Sequence, residues 1–434
     1  MKIVIIGSGS IGSGIIPMLF QEFPDLKSED IQILSAGPDS EAASRYGIDF
    51  THVRLTATNY MQALEPHVSP GAIVLNLSVD VSSMAVLAYC QGKGAHYLDT
   101  CIEPWEGGYT NPTGRPIPNA TFRHTILSDA RVRNDDTTAI LACGANPGLI
   151  SCFVKQSIMD IVERGDYAIP KAVLLEGLPA VARHLQIHTI QIAERDTQTL
   201  GRRLNPGEFA NTWSVPGFIS EGEQFAELAY GSHEEYANLQ IFSHAPKRPM
   251  AILPKKGFQQ KVLSFTPTAG PDWAYMISHH ESASIADMLS TDDYRPTVYY
   301  AYRPTDASVR SIENHIVRGW KAPKVQTIFR GKSGYDELGV LLISPHFTYW
   351  YGSTLNTAQA RALMPYNGPT TLQVTATIAA AVRYIVQNPF KGVIEAEQLP
   401  FDKILGQTKK YLGHVAGYEV EWSPGTQLEQ FLYK

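Results

Sequence analysis

Apolar positions in the first part of the chain come as short, unbroken runs separated by polar turns. Lys2 to Ile6 is a β-branched run, Gly7-Ser8-Gly9-Ser10-Ile11-Gly12 follows without a gap, and Ile15 to Phe23 is apolar and helix-like. Strand, tight turn and helix in that order open a parallel βαβ unit. Ile31 to Ser35, Ala72 to Leu77, Gly94 to Thr100 and Ala139 to Ala142 predict further strands, and Ala72 to Leu77 reads as a buried one. From about Ser151 this rhythm stops. Longer segments with paired strands follow, such as Val298 to Tyr302 and Val340 to Ser344, and Leu372 to Val386 reads as a helix with small residues.

The glycines fit a phosphate-binding turn in the context that such a turn requires. Gly7 permits the sharp bend, Gly9 lets the backbone approach a pyrophosphate, and Gly12 lets the helix pack on the strand, while Ser10 and Ile11 lie at the helix N-terminus with its free N–H groups. The acid that usually takes the ribose, about 20 residues further on, is missing. Ser35, Ala36 and Gly37 stand there and Asp39 is the nearest carboxylate; with no Arg or Lys at the strand end, NAD is expected rather than NADP. Asn76, Ser78 and Thr100 sit at strand ends, as do Asn146 and Pro147 of the Gly144-Ala145-Asn146-Pro147-Gly148 turn, and are expected over the cofactor crevice. The expected fold is α/β, with a Rossmann-type dinucleotide-binding domain over 1–150, an α+β catalytic domain over 151–370, and a C-terminal segment, 371–434, packing back on the first domain.

Composition narrows the partners. The chain has 434 residues, 36 basic and 42 acidic, for a formal charge of −6, and no run of Lys or Arg forms the stripe that nucleic acid needs. Glycines and serines interrupt the apolar start, so it reads as a strand and turn rather than a signal peptide, and Gln373 and Arg383 argue against a membrane span at Leu372 to Val386. Cys90, Cys101, Cys143 and Cys152 lack metal-type spacing, and no metal is expected. Sparse cysteines fit a reducing, cytoplasmic setting.

Acids and aromatics recur in the second half where a plain core has no use for them. Glu194 lies in IQIAERDTQ, Asn211-Thr212-Trp213-Ser214 precedes Glu221, His279 and His280 precede Glu281, and Asp336 and Glu337 open an apolar strand. Carboxylates converging beside a Trp suit a cationic ligand, and a diamine would satisfy them. Each acid taken singly fits a solvated surface charge better.

In this order and spacing, MKIVIIGSGSIGSG, LDTCIEPWEGGY at 98–109, ACGANPGLIS at 142–151, NTWSVPGF with Glu221, HHES at 279–282, RPTVYYAYRPTDA at 295–307 and DELGVLL at 336–342 resemble the bacterial-type homospermidine synthases, within the saccharopine dehydrogenase-like group. The resemblance covers essentially the whole length. It implies tightly held, recycled NAD, a homodimer whose second domain also carries dimerisation, and putrescine and other polyamines as substrates. Putrescine would be oxidised to an imine, its aminobutyl carbon transferred to a second putrescine with loss of ammonia, and the new imine reduced to sym-homospermidine. Spermidine is implied as an alternative donor, releasing 1,3-diaminopropane. Carried onto this sequence, Trp213 is the cation–π face, Glu221 and Glu194 are ammonium partners, Asn146 lies at the nicotinamide edge, and Glu103, His279, Glu281 and Asp336 complete the pocket. Whether Asp336 or Glu337, and His279 or His280, points inward stays open, as does the proton shuttle. The rival enzyme is a net NAD-dependent dehydrogenase of the saccharopine type. Its amino-acid adduct would need convergent arginines, and Arg183, Arg195, Arg202 and Arg203 keep it in play.

Overall fold

The computed structural model describes residues 1–37, 40–111, 116–132, 136–235, 240–243 and 248–433, and of 240 and 243 the backbone alone. The chain divides into two compact units, Met1–Leu149 with Ala358–Tyr411, and Ile150–Thr357 with Leu412–Lys434.

The first unit is built on a parallel sheet, seven-stranded among the described residues. Its order is Gly392–Glu395, Thr138–Leu141, His96–Asp99, Ile73–Asn76, Ile3–Ile6, Ile31–Ser35 and Asp49–His52. Ile3–Ile6 lies in the middle, with Ile3 in register with both Ile31 and Ile73, and is buried on both faces. The first helix runs Ser10–Glu22, so it starts directly on Gly9 and earlier than its apolar stretch suggests. Helix Pro369–Gln387 lies against it. Asn367 Nδ2 donates to the Gly14 carbonyl at 2.9 Å, and Thr375 Oγ1 donates to Asn367 Oδ1 at 2.9 Å.

The C-terminal 371–434 is not a single piece. Residues up to Tyr411 belong to the first unit, where Gly392–Glu395 adds a strand beside Thr138–Leu141. His414–Glu419 instead pairs with Thr348–Asn356 in the second unit, and Leu428 and Phe431 are buried in that unit's core. Apolar burial thus draws the two parts of the tail to different cores.

The second unit carries a mixed sheet, ten-stranded among the described residues. Thr189–Asp196 is central: Thr297–Arg303 runs parallel to it on one side and Tyr335–Ile343 antiparallel on the other. The strands expected at Val298 to Tyr302 and Val340 to Ser344 therefore both flank this one and do not pair with each other. Alternation assigns the two faces. Ala193, Tyr299, Ala301, Leu341 and Ile343 join an apolar core with Trp350 and Phe431. Glu194, Asp196, Tyr300, Tyr302 and Asp336 fall on the opposite face, with Tyr302 in register with Glu194 and Asp336 with Asp196.

At the end of His96–Asp99, buried Asp99 accepts the Ala142 N–H at 2.6 Å and the Tyr97 hydroxyl at 2.9 Å. Ala142 has φ of 55°, a left-handed conformation that this hydrogen bond helps to hold. Burial raises the Asp99 carboxyl to about 6. The folded chain therefore holds this proton to higher pH than the unfolded chain does, and stability falls as pH rises from about 4 through about 6. In Asp99→Asn that slope is absent. Denaturation at pH 4 and at pH 7 should show the variant gaining roughly 2 to 3 kcal/mol on the parent between the two; parallel curves would contradict the raised value.

Candidate active site

In the first unit the glycine turn has one crowded side and one open side. A Cβ on Gly7 (φ 102°) would stand 2.9 Å from the Leu77 carbonyl oxygen, and one on Gly12 would run into the Gly7 carbonyl oxygen. A Cβ on Gly9 meets nothing within 4 Å. Exposed Gly9 caps the helix that begins at Ser10, and Ser10 and Ile11 are half-buried at its start. Ser35, at the position of the usual ribose acid, is tied to the turn: its Oγ accepts from the Ser8 N–H at 3.2 Å, the Ser8 hydroxyl at 2.9 Å and the Gly37 N–H at 3.1 Å. Asp39 lies outside the described residues. An open backbone face at the start of a 13-residue helix suits a pyrophosphate, so these residues fit a dinucleotide.

The remaining candidates of this unit divide into inward and half-exposed groups. Asn76 is buried, and its Nδ2 donates to the Val81 carbonyl at 3.1 Å and the Tyr97 hydroxyl at 3.2 Å, a structural commitment. Ser78, Thr100 and Asn146 are half-buried and Pro147 is buried. The turn bearing Asn146 is closed on itself by the Gly144 N–H to the Pro147 carbonyl at 2.7 Å and the Leu149 N–H to the Gly144 carbonyl at 3.0 Å. Half-buried Glu103 accepts the Tyr109 hydroxyl at 2.9 Å.

The second unit brings the other candidates into one network. His279 stands between two carboxylates, with Nδ1 3.1 Å from Glu281 Oε1 and Nε2 3.2 Å from Glu221 Oε2. The side-chain exposures are 0% for Glu281, 8% for His279 and 16% for Glu221, so the row runs outward from a buried end. Burial pulls the imidazole toward the neutral form, but Glu281 and Glu221 outweigh it and raise its pKa well above the ordinary value. The His279 ring lies on Tyr300, centroids 4.6 Å apart at 32°, and Tyr300 donates its hydroxyl to Glu194 at 2.6 Å. Tyr302 stacks beside Tyr300 at 5.7 Å and 14°.

Tyr302 also leads to Trp213, whose Nε1 donates to the Tyr302 hydroxyl at 3.4 Å and whose ring packs on Phe218 at 5.2 Å. Burial, then the charges of Asp196, Glu194 and Asp336, keeps the Tyr302 phenol protonated. The pleat separates Asp336 from its neighbour. Glu337 faces the other side, where its carboxylate accepts from the Thr268 N–H and hydroxyl and, at 3.0 Å, from the Thr354 hydroxyl. His280 caps helix Glu281–Leu289, so of the two histidines it is His279 that meets Glu221 and Glu281.

Sequence reasoning did not single out Tyr300, Tyr302 or Asp196. Asp196 is buried, accepts the Thr212 hydroxyl at 2.6 Å and the Gln198 N–H at 2.8 Å, and is raised by burial to about 6. The signal was the alternation Glu194-Arg195-Asp196 and Tyr300-Ala301-Tyr302, which puts each pair on one face. Three of the four arginines considered for an anionic adduct are held by acids: Arg183 by Asp293, Arg195 by Asp272 at 2.7 Å, and Arg202 by Glu208. Among the described residues, no helix is long and apolar enough to cross a membrane.

The chain that carries this parallel dinucleotide-type sheet and this acidic, aromatic face falls by its family models in the saccharopine dehydrogenase-like group. Residues 3–140 match the saccharopine dehydrogenase NADP binding domain, and residues 144–420 match the saccharopine dehydrogenase C-terminal domain. Homospermidine synthase from Blastochloris viridis is 35% identical over 97% of this chain and 92% of its own length; that from Mesorhizobium japonicum is 34% identical over 97% and 91%. The crystal structure of homospermidine synthase from Legionella pneumophila in complex with NAD superimposes with a TM-score of 0.88 at 32% identity, covering 98% of this chain and 92% of that one. The chain belongs to the homospermidine synthase family.

The two faces of the glycine turn predict opposite outcomes. Gly12→Ala should unfold or strongly destabilise the protein, whereas Gly9→Ala should melt within a few degrees of the parent and bind NAD at least tenfold more weakly by calorimetry, because the added methyl stands on the open face. Unchanged NAD affinity in Gly9→Ala would contradict a pyrophosphate there. For the row Glu281, His279 and Glu221, nitrogen NMR of His279 at about pH 7.5, one unit above the ordinary histidine value, should report an imidazolium in the parent and a lower pKa in Glu281→Gln. A neutral ring in the parent would contradict the two-carboxylate clamp.

Proposed function

We propose that this chain catalyses NAD-dependent aminobutyl transfer from putrescine, or spermidine, to putrescine, forming sym-homospermidine with release of ammonia or 1,3-diaminopropane. The observation that carries the reading is the acidic face of the second unit, where Glu194, Asp336 and Glu281 are buried around one histidine and two stacked tyrosines. Buried carboxylates are costly without cations, and a diamine supplies two. Arginines held by Asp293, Asp272 and Glu208 favour this substrate over the anionic adduct of a saccharopine-type dehydrogenase.

Bound NAD supplies a reversible hydride acceptor, which lets an amine carbon pass through the imine level and return with no net oxidation. The absence of Arg or Lys over residues 35–39 favours NAD over a 2′-phosphorylated cofactor. An ammonium group holds no lone pair with which to expel hydride, so the chain must first take a proton from the amine. Glu221 is the more exposed end of the row; its Oε2 is buried against His279 Nε2 at 3.2 Å, so its other oxygen, Oε1, is the atom assigned to exchange that proton. Glu281, at the buried end, keeps His279 charged and oriented, as the third member of a relay does. Glu194 and Asp336 pair with ammonium groups. Half-buried Trp213 offers its ring to an iminium or ammonium, an attraction of about 0.5 to 2 kcal/mol. Asn146 and Glu103 keep the roles that the resemblance gives them. A homodimer and a reducing, cytoplasmic setting belong to the same reading, the latter supported by four cysteines that form no disulfide.

The deciding experiment incubates the purified protein with putrescine and catalytic NAD, separates the amines by chromatography and follows reduced-nicotinamide absorbance. Homospermidine and ammonia without lasting NADH are expected; steady accumulation of NADH with an aldehyde would make the protein a net amine dehydrogenase. Trp213→Ala should lower turnover at least tenfold and leave NAD affinity unchanged, in line with loss of a desolvated cation–π contact. Parent-like rates in this variant would remove Trp213 from the site.

A further inference from the structure

Three features of Tyr300 go beyond packing. It sits on strand Thr297–Arg303, on the face that carries Glu194, and donates its hydroxyl to Glu194 Oε2 at 2.6 Å. Its ring forms the floor under His279, 4.6 Å between centroids. Its other neighbour is Tyr302, stacked at 5.7 Å, which receives the Trp213 indole N–H. One side chain thus touches a carboxylate by hydrogen bond and an imidazole by ring contact, and the next tyrosine continues the stack to the aromatic wall.

We propose that Tyr300 is the positioning residue that sets Glu194 and the His279 relay in a common frame, its hydroxyl fixing the carboxylate and its ring fixing the imidazole. This rests on the amine-transfer reading above. The two contacts act separately. A glutamate side chain has three rotatable bonds, and a hydrogen bond to Oε2 holds its plane so that Oε1 is presented in one direction. A charge-assisted bond of this kind is among the stronger ones in proteins, and its loss leaves Glu194 to sample other rotamers. The imidazole has its nitrogens at opposite edges, and both carboxylate contacts, at 3.1 and 3.2 Å, require the ring to keep one tilt. A flat aromatic floor at 32° supplies that tilt. Tyrosine alone among the standard residues offers both a broad apolar face and an acidic hydroxyl at the far end.

The pair Tyr300→Phe and Tyr300→Leu separates the hydroxyl from the ring. In Tyr300→Phe the floor remains and the anchor goes: the putrescine dissociation constant by calorimetry and KM should both rise about tenfold, with kcat changed less than threefold and the His279 nitrogen shifts unchanged. In Tyr300→Leu the floor goes too, and the His279 shifts should move while kcat falls a further tenfold or more. A Tyr300→Phe protein with parent-like KM and putrescine affinity would overturn the proposal, as would His279 shifts that move as much in Phe as in Leu. If Leu does not fold, the Phe variant decides alone. The parent's own behaviour distinguishes the two readings: a parent that binds putrescine without forming homospermidine refutes the transferase and leaves the positioning role to be decided by the Phe dissociation constant, whereas a parent that neither binds nor turns over putrescine overturns both.

Discussion

Burying several carboxylates in one part of a protein is the constraint on which the second unit is organised. Glu194, Asp196, Asp336 and Glu281 are withdrawn from water, and each must find donors or cations to offset the loss of hydration. His279 serves Glu281 and Glu221, the Tyr300 hydroxyl serves Glu194, and Thr212 with Gln198 serves Asp196. Asp196, satisfied by neutral donors, is left with a pKa raised to about 6. A buried face carrying these carboxylates suits ligands that bring positive charge into a confined space. Polyamines bring positive charge alone, whereas amino-acid adducts add carboxylates to their ammonium groups.

The sheet makes that arrangement affordable by keeping the acids off the core. Along Thr189–Asp196, Gln191 faces the core and meets the Tyr299 hydroxyl at 2.8 Å, whereas Glu194 and Asp196 face the other way. Both neighbouring strands hold register with it, so Tyr302 meets Glu194 and Asp336 meets Asp196 on the same side. A slip of one residue in either neighbour would turn Asp336 or Tyr302 into the apolar layer and bring Glu337 or Ala301 out. Glu337 shows how firmly the register is specified: it has its own donors, Thr268 and Thr354, waiting on the opposite face.

The first unit was legible in the sequence because its constraints are local. Gly7, Gly9 and Gly12 stand two to five positions apart, and the steric reasons for each act within one turn and the strands beside it. The order of the strands was not read from the sequence, and the edge strand Asp49–His52 went unpredicted because it is polar and partly exposed. The late strand Gly392–Glu395 and the split of residues 371–434 were not legible, because nothing local distinguishes a helix that covers one core from a strand that joins another. In the second unit the motifs pointed to Trp213, Glu221, His279 and Glu281, whereas the choice between Asp336 and Glu337 needed the register of a strand more than a hundred residues away in sequence. Asp196 escaped notice for the same reason, since its partner Thr212 reads as an ordinary neighbour of Trp213.

Tyr299 and Tyr300 bring the two kinds of information together. They are adjacent and chemically identical, and composition or propensity treats them alike. Tyr299 is buried in the apolar core with its hydroxyl spent on Gln191, so its task is to close a polar gap inside a hydrophobic layer. Tyr300 spends its hydroxyl on a carboxylate and its ring on an imidazole. The difference arises from the pleat alone, which turns successive side chains to opposite faces, and from what the folded chain has placed on each face. A run of tyrosines in a β-strand is thus better regarded as two interleaved series, one belonging to the core and one to the chemistry, and in this chain Tyr302 continues the second series to Trp213.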